Sequence, residues 1–98
     1  MATAKDLEGL DITVYSAGWC PDCRRLEAWL GREGLHFPVV DIEAEPEATE
    51  RLERETGKRA IPFLLVNGRI WVRGYHRELP TRFDPALLAQ EVLDAAAK

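Results

Sequence analysis

Between Asp11 and Ser16 the chain reads Asp-Ile-Thr-Val-Tyr-Ser, β-branched and aromatic residues that fit a pleated surface. Ile12 and Val14 fall on one side of such a strand, Thr13 and Tyr15 on the other. The period then changes. From Arg24 onward Leu26, Trp29 and Leu30 recur at helical spacing. Pro21, whose missing N–H costs nothing in a first turn, places the helix from there to about Arg32, where Gly31 and Gly34 bracket its end. His36–Ile42 reads as a second strand, and Pro38 confines it to an edge or to its own beginning. Pro46 opens a second helix that runs to about Thr56 and stops at Gly57. Phe63–Val66 and Ile70–Arg73 are strand runs joined by Asn67-Gly68, the strongest short-range hairpin signal. Asp84-Pro85 supplies an N-cap and a first-turn proline for a last helix striped by Leu87, Leu88, Val92 and Leu93. Residues 1–10 read as a short lead-in.

The order βαβαββα defines an α/β protein. Its βαβ half requires a parallel strand pair with a right-handed crossover, and the hairpin adds an antiparallel edge. Helices are expected on both faces of the sheet. At 98 residues the chain is long enough for one domain with one core, spanning 1–98 with its centre over about 11–95. No repeat, linker or low-complexity tract interrupts it.

Composition narrows the function classes. No apolar run approaches membrane-spanning length, and Asp6 and Glu8 stand where a secretion signal would need apolar residues, so a cytoplasmic protein is expected. The net charge of −4 hides a segregation. Residues 41–55 carry seven acids against Arg51 and Arg54, while residues 58–82 carry Lys58, Arg59, Arg69, Arg73, Arg77 and Arg82 against Glu78. The acidic run reads as a solvated face, whereas the basic set suits anionic partners. With an acidic balance and no aromatic-rich basic stripe, nucleic-acid binding has no support.

The chemistry lies in Cys20-Pro21-Asp22-Cys23, which holds both cysteines of the chain and stands where the first strand hands over to the first helix. A thiol at a helix start faces unpaired N–H groups and the positive end of the macrodipole, both of which favour thiolate. A thiol three residues on shares its helical face and can reach it. A disulfide enclosing only Pro21 and Asp22 constrains almost nothing in the unfolded chain, so the pair reads as redox chemistry rather than as a staple. Cys23, one turn into the helix, is expected to be the less exposed and less acidic thiol. Asp22 places a carboxylate that opposes thiolate formation at Cys20. Trp19 reads as an exposed, substrate-facing loop residue, Trp29 as helix packing and Trp71 as a strand-surface residue. His36 and His76 have no orienting partner visible in the sequence and read as structural.

Together the element order, the Cys-Pro-x-Cys motif and Ile61-Pro62 at the head of the hairpin resemble the glutaredoxin family of the thioredoxin-like superfamily. The most specific positions are Tyr15, Cys20, Pro21, Cys23, Pro62, Asn67-Gly68 and Gly74. The resemblance implies a three-layer α/β/α fold with a four-stranded mixed sheet and a dithiol oxidoreductase that reduces protein disulfides and mixed disulfides with small thiols. Cys20 would be the nucleophile and Cys23 the resolving thiol, with Pro21, Asp22 and a cis Pro62 shaping the motif. Tyr15, Trp19, Arg59, Ile61, Arg73, Gly74 and Tyr75 become candidates for substrate binding. No bound cofactor is implied. The expected protein is a monomer acting on disulfide-containing or thiolated proteins, reduced by glutathione or an analogous small thiol, or by thioredoxin reductase.

Trp19-Cys20 and Val40-Asp41-Ile42-Glu43 are closer to mycoredoxins, and Arg73-Gly74-Tyr75 is similar to the glutaredoxin-like electron donors of ribonucleotide reductase. Ala17 replaces a frequent basic residue of the family, and Arg73-Gly74 replaces its Gly-Gly, so the glutathione-clamping positions match less well than the redox core. A competing expectation is an iron–sulfur or metal carrier using Cys20 at a dimer interface. One cysteine pair cannot complete a four-thiolate set alone, and Pro21 stiffens the loop.

Overall fold

Asn67 and Gly68 both take positive φ, 55° and 69°, as a type I′ turn requires, and join β3 (Phe63–Val66) to β4 (Ile70–Arg73). In the computed structural model, which describes residues 2–98, this hairpin is half of a four-stranded sheet. β1 (Ile12–Ser16) pairs antiparallel with β3, Val14 opposite Leu64. β2 (Val39–Asp41) pairs parallel with β1, Val14 opposite Val39, which gives the order β2-β1-β3-β4. α1 (Pro21–Arg32) crosses from β1 to β2, α2 (Pro46–Thr56) leads to β3, and α3 (Pro85–Ala96) follows β4. The fold is the mixed-sheet, thioredoxin-like α/β arrangement expected.

Strand alternation sends side chains to two separate cores. Ile12, Val14, Leu64, Val66 and Val72 pack with Leu26, Trp29 and Leu30 of α1 and with Leu88, Ala89 and Val92 of α3. Tyr15, Phe63 and Leu65 pack in a second cluster with Leu52 of α2, Ile42, Ile61 and both cysteines. β3 is buried along its whole length because both clusters rest on it. The three prolines Pro21, Pro46 and Pro85 each open a helix. No helix is long and apolar enough to cross a membrane among the described residues.

Two elements differ from expectation. β2 covers Val39–Asp41 rather than His36–Ile42. The Pro38 carbonyl accepts the Val14 N–H at 2.9 Å, and the Ile42 N–H donates to the Ser16 carbonyl at 3.0 Å, but Pro38 has no N–H with which to extend the ladder. The lead-in is also more than a lead-in. Ala4–Leu7 forms a 3₁₀ helix, held by the Thr3 N–H on the Asp6 carboxylate at 2.8 Å. Leu7 is fully buried, and Ala2 and Ala4 join it in the cluster that packs α3.

Leu7→Ala is therefore expected to destabilise the fold by about 2–4 kcal/mol in denaturant unfolding, as a core leucine does. A loss below about 0.5 kcal/mol would mean that the first ten residues are peripheral to stability.

Candidate active site

Cys20 is the N-cap of α1, with extended backbone (φ −86°, ψ 115°), and its Sγ accepts the Cys23 N–H at 3.1 Å. A sulfur thus occupies the place usually taken by a serine or aspartate oxygen, where an orphan N–H of the first turn finds its partner. Pro21 fills the next position. The Cys20 thiol donates in turn towards the Ile61 carbonyl at 3.9 Å. The Ile61–Pro62 bond is cis, and it presents the Ile61 backbone to Cys20 from across 41 residues of sequence. Both cysteines are free thiols. Cys23 is fully enclosed and Cys20 is 4% exposed. Burial, then the hydrogen bond with Cys20, pushes the Cys23 thiol up to about 12.

Asp22 is not the free carboxylate that its place between the cysteines suggests. Arg82 grips it with two bonds, Nε to Oδ1 at 3.0 Å and Nη2 to Oδ2 at 2.6 Å, and Arg25 adds a third at 2.5 Å. The Arg82 hydrogen bonds chiefly hold the Asp22 carboxyl below its ordinary value, against burial, which acts the other way. Asp22 is only 13% exposed in this pair.

A cleft of about 360 Å³ opens on Cys20. Trp19, Arg59, Ile61 and Tyr75 line it, together with Arg77 and Arg82. Trp19 is 61% exposed, as its loop position implied. A larger cavity of about 480 Å³, between Tyr15, Val40 and Arg51, contains neither cysteine.

Three candidate binding residues lie away from the cleft. Tyr15 is buried in the α2-side cluster, its ring edge-on to Trp71 at 4.8 Å. Arg73 is committed to Glu78 at 2.9 Å and lies over the Tyr75 ring at 5.1 Å. Gly74 is enclosed: a Cβ there would stand 3.0 Å from Leu64 Cδ1 and 3.1 Å from both Leu26 and Pro62. Its N–H donates to the Pro62 carbonyl at 2.9 Å, adding a rung beyond the end of β4. A side chain here would press on the packing beneath Pro62 and oblige these neighbours to shift by a few tenths of an ångström. Arg59, although in the cleft wall, is ion-paired with Glu53.

Sequence reasoning missed three features. Arg82 was visible only as one of six bases, because nothing local signals a contact 60 residues away. His76 is structural, as expected, but it has partners. Its ring is 1% exposed, Nδ1 accepts the Asp84 N–H at 3.0 Å, and Nε2 lies 2.9 Å from Glu91 Oε1. That pattern places the ring proton on Nε2. Trp71 likewise has a partner, donating its indole N–H to Glu55 at 2.8 Å. Among the described residues no three His, Cys, Asp or Glu side chains gather as a metal-binding group.

The family model described as Glutaredoxin matches residues 12–71, from the start of β1 into β4. A glutaredoxin of Pseudomonas aeruginosa is 29% identical over 65 residues, 66% of this chain and 70% of that one. The glutaredoxin-like protein NrdH of Escherichia coli is 28% identical over 75 residues, 76% of this chain and 90% of its own. Mycoredoxin 1 of Corynebacterium glutamicum is 32% identical over 53 residues, covering 53% and 65%. Among solved structures, a glutaredoxin from Archaeoglobus fulgidus superposes with a TM-score of 0.56 at 26% identity, over 76% of this chain and 85% of that one. The family model spans more than half of the chain, including the Cys-Pro-Asp-Cys helix start, and shows that the chain belongs to the glutaredoxin family, a family of thiol–disulfide oxidoreductases.

Proposed function

We propose that this chain is a dithiol oxidoreductase that reduces protein disulfides and mixed disulfides with small thiols, with Cys20 as nucleophile and Cys23 as resolving thiol. The observation that carries this reading is the Cys20 sulfur at the N-cap of α1, accepting the Cys23 N–H on the floor of the cleft. An N–H aimed at a sulfur stabilises its anion, and the thiolate is the attacking form. The Cys20 thiolate attacks one sulfur of the substrate disulfide and releases the other as a thiolate, leaving a mixed disulfide on Cys20.

Cys23 then completes the exchange. While Cys20 is free, burial keeps Cys23 protonated, and the hydrogen bond and negative charge of Cys20 add to the effect. Once Cys20 is bonded to substrate, those Cys20 contributions disappear and Cys23 ionises more readily. Its thiolate attacks Cys20 Sγ, expels the second substrate sulfur and closes the Cys20–Cys23 disulfide. Two electrons from a small thiol or a reductase restore the dithiol.

Trp19, Arg59, Ile61 and Tyr75 are the cleft residues placed to receive substrate. The chain acts as a cytoplasmic monomer in this reading, without a bound cofactor. The weak match at the glutathione-clamping positions, Ala17 and Arg73, favours another anionic small thiol or thioredoxin reductase as the electron source.

Cys20→Ser is expected to abolish all thiol transfer. Cys23→Ser should keep reduction of small-thiol mixed disulfides, which needs one cysteine, and lose most reduction of protein disulfides. Iodoacetamide labelling of Cys23 at the wild-type rate in Cys20→Ser would reverse the roles. NADPH oxidation compared across glutathione with its reductase, other small thiols and thioredoxin reductase should be weakest with glutathione. Fast, saturable turnover at sub-millimolar glutathione would identify an ordinary glutathione-dependent enzyme.

The raised Cys23 value also has a signed consequence. The unfolded thiol ionises near 9.0, whereas the folded one stays protonated until about 12. The stabilisation is fully present below 9.0 and is lost as pH rises through that window. Alkaline unfolding of the reduced protein should therefore lose part of its steepness in Cys23→Ala. An unchanged profile would mean that burial does not restrain the thiol.

A further inference from the structure

We propose that Arg82 is a positioning residue of the redox centre, which cancels the Asp22 charge beside Cys20 and so keeps the Cys20 thiolate available. This rests on the reading of Cys20 as nucleophile. A lone carboxylate between the cysteines would work against every thiolate formed there. The motif nonetheless carries an aspartate, and the structure supplies its counter-charge from the opposite end of the chain.

Two arginines touch Asp22, and their geometry separates them. Arg25 is one helical turn away and makes a single bond; at 45% and 43% exposed, the two side chains differ in their bonding and not in their exposure. Such helix-surface pairs contribute little and are readily screened. Arg82 comes from the segment between β4 and α3, grips both carboxylate oxygens and lies over the Tyr75 ring at 5.7 Å. Two bonds from one planar guanidinium fix orientation as well as charge. Arg82 also lines the cleft onto which Cys20 opens. Its proton is held more firmly chiefly by the hydrogen bond to Asp22, with a smaller contribution from Cys20 itself.

The loop is built to hold Arg82 in that place. Arg82 takes a left-handed backbone, φ 59°, uncommon outside glycine. Its carbonyl accepts the His76 N–H at 2.8 Å, and its N–H donates to Leu79 at 3.0 Å. The buried His76 ring then ties this turn to the first residues of α3 through the Asp84 N–H, and to Glu91. A side chain serving only solubility needs no such anchoring.

The test is a double-variant cycle on the reduced full-length chain, reading the rate of Cys20 alkylation by iodoacetamide at mildly acidic pH and thiolate absorbance. Arg82→Met keeps the apolar stem and removes the charge. It should slow alkylation about three- to eightfold, the range for one unit charge across roughly 7 Å at an effective dielectric of about 40–80. Asp22→Asn should speed it by a similar factor, because Arg82 is then uncompensated. The double variant should fall between the two, and Arg82→Lys should recover much of the loss.

Opposite signs are the decisive result, since a bridge that only stabilises the fold would move both single variants in the same direction. Equal rates in Arg82→Met and the wild type, or slowing in both single variants, would overturn the assignment. Labelling that maps to Cys23 instead of Cys20 in the wild type would refute the nucleophile reading itself, a separate outcome visible in the same peptide map.

Discussion

Cys20 does for α1 what an oxygen-bearing side chain does for most helices, and the site depends on that substitution of sulfur for oxygen. The bond from the Cys23 N–H fixes where the helix starts and which way the thiol points. It also links the two cysteines electrostatically before any covalent bond joins them. A neutral thiol is a poor acceptor and a thiolate a strong one, so helix start and sulfur anion stabilise each other. Pro21 fits because the position after a cap needs no donor. Beside the cis Ile61–Pro62 peptide, the Ile61 carbonyl is the one other backbone group that reaches the sulfur among the described residues.

The sheet explains why these distant pieces meet. β1 ends at Ser16, just before the capping loop, and β3 begins at Phe63, just after Pro62. Because β1 and β3 are neighbours with Tyr15 opposite Phe63, the two loops emerge side by side. The fully buried β3 is gripped from both faces, so the proline loop has a firm base. The charge segregation resolves locally. Arg51, Arg54 and Arg59 pair with Glu55, Glu50 and Glu53 on the α2 side, while the cleft keeps arginine side chains around the thiol.

Much of this was legible in the sequence because its signals are local. Asn67-Gly68 dictates the hairpin by requiring two positive φ angles, and three helix-opening prolines mark their own starts. The cysteine pair revealed its position by spacing, and the order of burial at Cys20 and Cys23 followed from one turn of helix. What was hidden depends on tertiary closure. Leu7 is an ordinary leucine in an unremarkable stretch until α3 lies over it. Arg82 looks like surface charge until the 74–84 segment folds back on Asp22. Tyr15 and Gly74 were candidates for substrate contact, and the structure buries both, Tyr15 against Trp71 and Gly74 against Leu64 and Pro62. A residue type shared by core and ligand-binding roles does not separate them without coordinates.

The rung between the Gly74 N–H and the Pro62 carbonyl makes the cleft wall an extension of the β3–β4 ladder rather than a loose loop. In the proposed reaction, a segment arriving beside Ile61 meets an edge that has already lost its conformational freedom. Only the incoming chain has to be ordered, at about 1–2 kcal/mol per residue fixed. With a docking edge about one rung long, few residues need fixing and few bonds hold the product afterwards. The short edge therefore leaves recognition in that reaction to the side chains of the cleft more than to backbone pairing.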